Sequence, residues 1–159
     1  MNIHFAAAWL RSISTSAEDA LAFYADEFEF SDSPQERFIR TDRAALARAL
    51  RPLSNKDPAN GKGIHQFEAT EYIGDQHSGL VRWRWSAAHA ATIFGLQTHG
   101  AAIQTTGMSF HVYQNGKIAR EIVYSDQIHV AQQLGYPVNF SKRRTPGPKP
   151  PSDPSKRSL

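Results

Sequence analysis

Two aspartates that follow apolar strand residues are the groups in this sequence best suited to proton chemistry. Asp126 ends a strand-like stretch after the turn at Asn115-Gly116, and Ile118, Ile122 and Tyr124 alternate on the same face of that stretch. A carboxylate on an apolar strand face is costly to desolvate, so it is usually paired, solvated or used for proton transfer. We predict an acid–base role for Asp126. The alternative is a helix N-cap, because an aspartate directly before a helical segment is typical of one.

The second aspartate lies at the end of an earlier strand. Phe28, Phe30 and Asp32 alternate on one face, and Pro34 ends the strand. Asp32 is therefore a second candidate for proton transfer. Its structural alternative is a turn residue, because aspartate is common where a strand turns.

A long strand predicted over residues 79–90 places His89 on the same face as Trp83 and Trp85. The intervening Arg82 and Arg84 should point outward. We predict that His89 polarises a substrate carbonyl or orients the catalytic acid, and a core histidine with satisfied hydrogen bonds is the alternative. The tryptophans are core residues, or walls of a ligand cavity if the interior is open.

Two registers are open for the hairpin at residues 114–116. A two-residue turn would place His111 on the face of Ile122, whereas a three-residue loop would place Phe110 and Met108 there. We choose the three-residue loop because it makes both strands apolar on one side, and His111 then points away from the pocket. The predicted substrate-binding residues are Trp83, Trp85, Met108, Phe110, Ile122 and Phe30.

Length and composition indicate one globular domain followed by a tail. The 159 residues are 40% hydrophobic and 21% charged, which suits a soluble domain over 1–140 with its own core. The tail over 141–159 holds six Lys/Arg, one acid and five prolines, and we expect it to be disordered or extended. Without it, 12 basic residues stand against 14 acidic ones, so the body shows no charge excess for nucleic acid.

The order of the elements predicts an α+β fold. Helical periodicity at 3–13, a capped second helix from Ser16 and a third helix over 42–52 precede strands at about 65–75, 79–90, 101–113 and 117–125. A short helix follows Asp126. Long strands joined by turns favour a curved sheet wrapped over the helices, which forms a cone with a pocket at its open end.

Several segments resemble the SnoaL-like polyketide cyclases. Residues 89–100, HAATIFGLQTHG, resemble the family's G-x-H-x-G-x-F-x-G-x-P-P-T-G segment, although the flanking glycines are Ala87 and Ala91 here. Asn115-Gly116-Lys117-Ile118 and Asp126 follow at the family's spacing. Upstream, LAFYADEF at residues 21–28 resembles L-x-x-x-Y-A-D-D, and QLG at 133–135 resembles the family's closing motif.

The resemblance spans residues 5–137 and implies a nuclear transport factor 2-like cone of about three helices in a mostly antiparallel sheet. It also implies a cofactor-free cyclase or isomerase in which Asp126 is acid and base, and in which Tyr124 and His89 contact the developing oxyanion. Tyr124 stands where the cyclases can carry a histidine. Asp32 is similar in place to the base of the ketosteroid isomerases of the same superfamily.

These features predict proton transfer next to a carbonyl, of the intramolecular aldol type, on a small hydrophobic, polyketide-like molecule. The alternative is a non-catalytic ligand-binding or dimerisation module on the same fold. We expect a cytoplasmic protein with no membrane partner, because neither a leader nor a span of roughly 20 apolar residues is present. We also expect a homodimer, because the outer face of such sheets often pairs, and no nucleic-acid partner. The chain has no cysteine, and its histidines lack metal-ligand spacing, so we expect no metal site.

Overall fold

A computed structural model describes residues 1–56 and 62–138. The predicted tail over 141–159 lies outside the described residues. The helices are α1 (Ile3–Thr15), α2 (Ala17–Leu21), α3 (Arg43–Leu50) and α4 (Gln127–Gln133). The strands are β1 (Tyr24–Asp32), β2 (Arg37–Arg40), β3 (Ile64–Gly74), β4 (Ser78–Ala88), β5 (Thr92–Ile93), β6 (Leu96–Gln97), β7 (Ile103–Gln114) and β8 (Lys117–Ser125).

Each helix begins at a polar side chain that accepts a hydrogen bond from the first turn. Asn2, Ser16, Asp42 and Asp126 cap α1, α2, α3 and α4 respectively. The cap satisfies a backbone N–H that has no partner within the helix. The sequence predicted the second cap and the helix after Asp126, while the strand β1 begins at Tyr24, before the alternation that starts at Phe28.

Six strands form one curved sheet in the order β2-β1-β8-β7-β4-β3. Only the β1–β8 pair is parallel, so the predicted α+β fold with a mostly antiparallel sheet is confirmed. The helix α1 lays its apolar side, with Trp9, Leu10 and Ile13, into the concave face of the sheet. The strand β2 and the small β5–β6 hairpin were not predicted, because each has only two to four residues.

The β7–β8 hairpin differs from the predicted register. The turn has two residues, Asn115 and Gly116, both at positive φ, and Tyr113 pairs with Ile118. A bulge then leaves Ala119 unpaired and shifts the register by one residue. The three-residue loop was therefore wrong, although the bulge restores the predicted grouping of the residues beyond it.

The side of this hairpin that faces the core is the opposite of the predicted one. Met108, Phe110 and Tyr124 are exposed on the outer face, and Ile122 on that face is half-buried. The inner face carries the polar residues Ser109, His111, Thr105 and Glu121. Predicting the apolar side as the interior was wrong because these polar groups find hydrogen-bond partners inside the fold, which offsets their desolvation.

Candidate active site

A small cavity lies between the concave face of the sheet and the helices. Its volume is about 90 Å³, which exceeds the space needed for a water molecule but is well below the roughly 300–1,000 Å³ of drug-sized pockets. The walls are mainly aromatic, and they come from Trp9, Phe30, Phe67, Trp83, Trp85 and Phe94. The polar groups that line it are Asp32, Arg37, Ser109, Glu121 and Ser125.

Phe30, Trp83 and Trp85 lie inside, as the strand alternation predicted. Their side chains are almost fully buried and line the cavity. Arg82 and Arg84 point outward and pair with Glu71 and Glu68 of β3. The binding of a ligand by the aromatic residues stays a prediction.

Asp32 is the one sequence-predicted acid that the fold turns into the cavity. It ends β1, where its Oδ1 accepts a hydrogen bond from the Gln35 N–H at 3.3 Å and caps a short turn. Burial raises the pKa of this carboxyl above its usual value. The Gln35 N–H and Arg37 oppose that rise in the pKa, and the charge of Glu121 adds to it. Burial thus moves the pKa of this carboxyl in the direction that suits a group that both takes and returns a proton.

A second acid, Glu121, lies deeper and was missed. It is 2% exposed, its Oε2 accepts a hydrogen bond from the Tyr24 hydroxyl, and its Oε1 lies 3.7 Å from His111 Nε2. His111 Nδ1 is in turn 3.1 Å from the Tyr113 hydroxyl. Burial, with the Glu121 charge, raises the pKa of Tyr24 far above its usual range, so Tyr24 stays a hydrogen-bond donor.

The sequence carried a signal for this network, although we did not use it. In the grouping that we chose, the strand face opposite Ile122 holds His111, Ser109 and Glu121, and we took that face as the outer one. The partner of Glu121, however, is Tyr24, which lies 97 residues earlier in the chain. No local pattern reveals such a pair.

A vestibule of about 480 Å³ adjoins the cavity. The two spaces share six residues, namely Asp32, Arg37, Ala49, Leu53, Trp85 and Phe94. Phe94 lies at the tip of the β5–β6 hairpin, and its ring centre is 5.6 Å from that of Trp85. The vestibule also holds His65, whose pKa burial lowers and whose Nδ1 accepts a hydrogen bond from Trp85 Nε1 at 3.3 Å.

Asp126 lies outside the cavity, contrary to the prediction. Its side chain is exposed, and Oδ1 accepts a hydrogen bond from the His129 N–H at 2.9 Å. It borders an outer depression together with Met108 and Tyr124. The residue is the N-cap of α4, because β8 ends one residue earlier and the strand alternation no longer applies to it.

The predicted inward positions of His89 and Tyr124 are also wrong. The strand β4 ends at Ala88, and His89 follows at φ 62°, an exposed turn position. This left-handed residue breaks the alternation that placed it beside the tryptophans. Tyr124 is 52% exposed on the outer face with Met108 and Phe110. None of these side chains lines the cavity.

A larger groove of about 930 Å³ lies between α1 and β3. It is open to solvent, and its charged side chains Glu68 and Arg84 pair with each other at 3.0 Å. Water competes with a ligand over such a surface, so we place the site in the aromatic cavity, whose lining is mainly apolar. Within residues 1–56 and 62–138, no group of three or more His, Asp or Glu side chains could hold a metal ion.

Comparison with known proteins assigns this chain to a family. The family model for SnoaL-like polyketide cyclases matches residues 6–134. The chain belongs to the SnoaL-like polyketide cyclase family. No curated protein matches it significantly. None of the helices in the described part of this family member is long and apolar enough to cross a membrane.

Solved structures share the fold at low sequence identity. A SnoaL-like polyketide cyclase from Agrobacterium tumefaciens is 20% identical, with a TM-score of 0.63 over 85% of this chain and 99% of that one. A protein from Catenulispora acidiphila with a ketosteroid isomerase-like fold, in complex with trimethylamine, is 11% identical. Its TM-score is 0.66 over 89% of this chain and 99% of that one. The predicted nuclear transport factor 2-like fold is thereby confirmed.

Proposed function

We propose that this family member is a cofactor-independent cyclase or isomerase that uses Asp32 as its proton-transfer group. The position of Asp32 carries the proposal: a half-buried carboxyl at the junction of an aromatic cavity and a larger vestibule, with its pKa raised by burial. An acid or base works best when its pKa lies near the working pH, and burial moves a carboxyl in that direction.

In the proposed reaction, the Asp32 carboxylate takes a proton from the carbon next to a carbonyl. The C–H electron pair then forms an enolate. The enolate either attacks a second carbonyl of the same molecule, which closes a ring, or takes the proton back at another carbon. In both cases Asp32 returns the proton to the product and is ready for another cycle. No oxidant, reductant or metal is needed to balance these steps.

The two spaces suggest how an extended substrate would bind. The cavity of about 90 Å³ suits a small carbonyl-bearing end, because even a cavity of about 150 Å³ holds a molecule no larger than benzene or xenon. The rest of the molecule would lie in the vestibule, past Phe94. A hydrophobic molecule of polyketide type, with its reactive end inserted, fits this arrangement.

Deuterium uptake tests the proposed chemistry without knowledge of the natural substrate. Linear methyl ketones, from butanone upward, are incubated with the protein in D₂O, and loss of the α-proton signal is followed by ¹H NMR. We expect acceleration by the wild type and a loss of about 100-fold or more in Asp32→Asn. The matched control is Asp42→Asn, at the exposed cap of α3. Equal rates for the wild type and Asp32→Asn would contradict the proposal.

A second candidate function is the binding of a small organic cation without chemistry. Aromatic walls beside the two carboxyl groups Asp32 and Glu121 suit an ammonium group, which is attracted by ring faces. The trimethylamine complex of the Catenulispora acidiphila protein favours this candidate. Calorimetric titration with trimethylammonium, together with an absence of ketone exchange, would support it over the enzyme.

A further inference from the structure

A serine hydroxyl lies in the middle of the buried sheet face, at a position where an apolar residue would pack at lower cost. Ser109 is 1% exposed and lines the cavity. In the sheet it lies beside Val81 of β4 and Val123 of β8. Burying a hydroxyl without full hydrogen bonding costs about 1–3 kcal/mol in protein mutational data. The two valine neighbours show that this row of the sheet accepts apolar side chains.

Trp83 determines which hydrogen bond Ser109 can make. Trp83 Nε1 donates to Ser109 Oγ at 3.2 Å. Because indole N–H can only donate, Ser109 is the acceptor in this pair, and its own O–H proton is left for another group. Among the residues that the structure describes, no acceptor takes this proton. The hydroxyl proton can therefore be given to a ligand in the cavity that Ser109 lines.

The Trp83 ring is itself held in place by its surroundings. It lies against Gly107, its partner on β7, so closely that an added Cβ there would come within 2.1 Å of a ring carbon. Phe67 packs against the same ring, with 5.9 Å between the ring centres. A fixed indole ring fixes its N–H, and the N–H in turn fixes Ser109 Oγ. The donor is thus positioned before any ligand binds.

Ser109 and Asp32 face the cavity from strands two apart in the sheet. Ser109 pairs with Val123, and Val123 pairs with Asp32. Two strand spacings separate the Cα atoms of Ser109 and Asp32 by about 10 Å, and both side chains line the one cavity. A small carbonyl compound between them can have its oxygen on Ser109 and its α-carbon toward Asp32.

We propose that Ser109, positioned by Trp83, donates the hydrogen bond that holds the substrate's carbonyl oxygen and stabilises the enolate. This inference rests on the proposed function and names the substrate end that enters the cavity, a small ketone or aldehyde group. The other side chains nearby fit this role less well. Glu121 would repel the developing negative charge, and Arg37 acts on the carboxylate of Asp32.

Two measurements on the whole protein test the inference. The first is the infrared C=O stretch of carbonyl-¹³C butanone bound to the protein, because a donated hydrogen bond lowers its frequency. We expect Ser109→Ala to lose this shift and Ser109→Thr, which keeps the hydroxyl, to retain it. The second is deuterium uptake by butanone, where Ser109→Ala should lower kcat about 100-fold with little change in KM. Thermal melting identifies any variant that does not fold.

The outcomes separate this inference from the proposed function. If the wild type exchanges protons and Ser109→Ala keeps both the rate and the frequency shift, the role of Ser109 is wrong and the proposed function stands. If the shift depends on Ser109 but no exchange occurs, Ser109 binds the carbonyl and the enzyme proposal fails. If the wild type neither binds nor exchanges the ketone, both proposals are overturned.

Discussion

The two aspartates that the sequence suggests for proton transfer differ in their exposure to water. Each accepts a backbone hydrogen bond as a cap, Asp126 from His129 and Asp32 from Gln35, but Asp126 is exposed whereas Asp32 is half-buried. Both follow apolar strand residues, so their local sequences look alike. The difference arises because β8 ends at Ser125. Asp126 therefore lies outside the strand, and its side chain is not directed into the cavity. Partial desolvation is what makes Asp32 the better proton-transfer group.

The raised pKa of Asp32 predicts how its replacement changes stability with pH. Because burial favours the protonated form, the folded state binds more protons than the unfolded state between the usual value of 3.8 and the raised pKa. The free energy of unfolding therefore falls as pH rises through that window and is level above it. Asp32→Asn removes this loss and keeps the turn cap, because asparagine caps as well as aspartate.

We therefore expect Asp32→Asn to be more stable than the wild type at pH 7, by an amount that shrinks as the solution is acidified. Urea unfolding at neutral and acid pH measures both values. A wild type that is more stable than the variant at pH 7 would show that the carboxylate is stabilised in the fold, contrary to its raised pKa.

Among the elements, β7 and β8 show where prediction from sequence succeeds and where it stops. The existence and approximate bounds of the long strands and the inward tryptophans of β4 follow from alternation. Which face of the hairpin points inward could not be predicted in this way, because the hairpin buries the polar His111 and Glu121 and leaves the apolar Met108 and Phe110 exposed. Hydrophobicity selects the wrong face when buried polar groups have hydrogen-bond partners, and the partner of Glu121, Tyr24, lies on another strand.

The close packing of β4 on β7 gives a prediction at this scale. In Gly107→Ala the new Cβ would collide with the Trp83 ring and with the Tyr124 carbonyl oxygen. We expect a loss of about 1–3 kcal/mol in the free energy of unfolding, with altered tryptophan fluorescence. Thr106→Ala, at the exposed neighbouring position, is the control and should change stability by less than about 0.5 kcal/mol. Equal stabilities of the two variants would show that Trp83 is not held against Gly107.

For the whole molecule, the order of helices and strands and the family motifs together were sufficient to predict the cone-shaped fold. They did not predict how much of the cone is empty. Trp9, Trp83 and Trp85 fill most of the interior and leave about 90 Å³. That volume depends on side-chain packing across eight helices and strands, which no pattern within one element encodes. The predicted pocket at the open end of the cone is a small cavity with a vestibule.

The outer face of the sheet carries exposed apolar side chains that could form the contact of the proposed homodimer. Met108, Phe110 and Tyr124 expose 39–52% of their surface on two adjacent strands, and exposed apolar groups that lie together are typical of interaction sites. We propose that a second copy of the chain covers them. Sedimentation should show a dimer for the wild type and a monomer for Phe110→Glu, with Gln114→Glu, at the exposed strand end, as control. A wild type that stays monomeric at every concentration would contradict the dimer.

The most direct test of the site is a comparison of the two aspartates in one assay. Ketone α-proton exchange in D₂O is measured for the wild type, Asp32→Asn and Asp126→Asn under identical conditions. The cavity geometry predicts that Asp32→Asn loses the acceleration and that Asp126→Asn retains it. Loss of exchange in Asp126→Asn with full activity in Asp32→Asn would contradict the assignment of Asp32. It would indicate instead that Asp126, the exposed cap of α4, is the proton-transfer group.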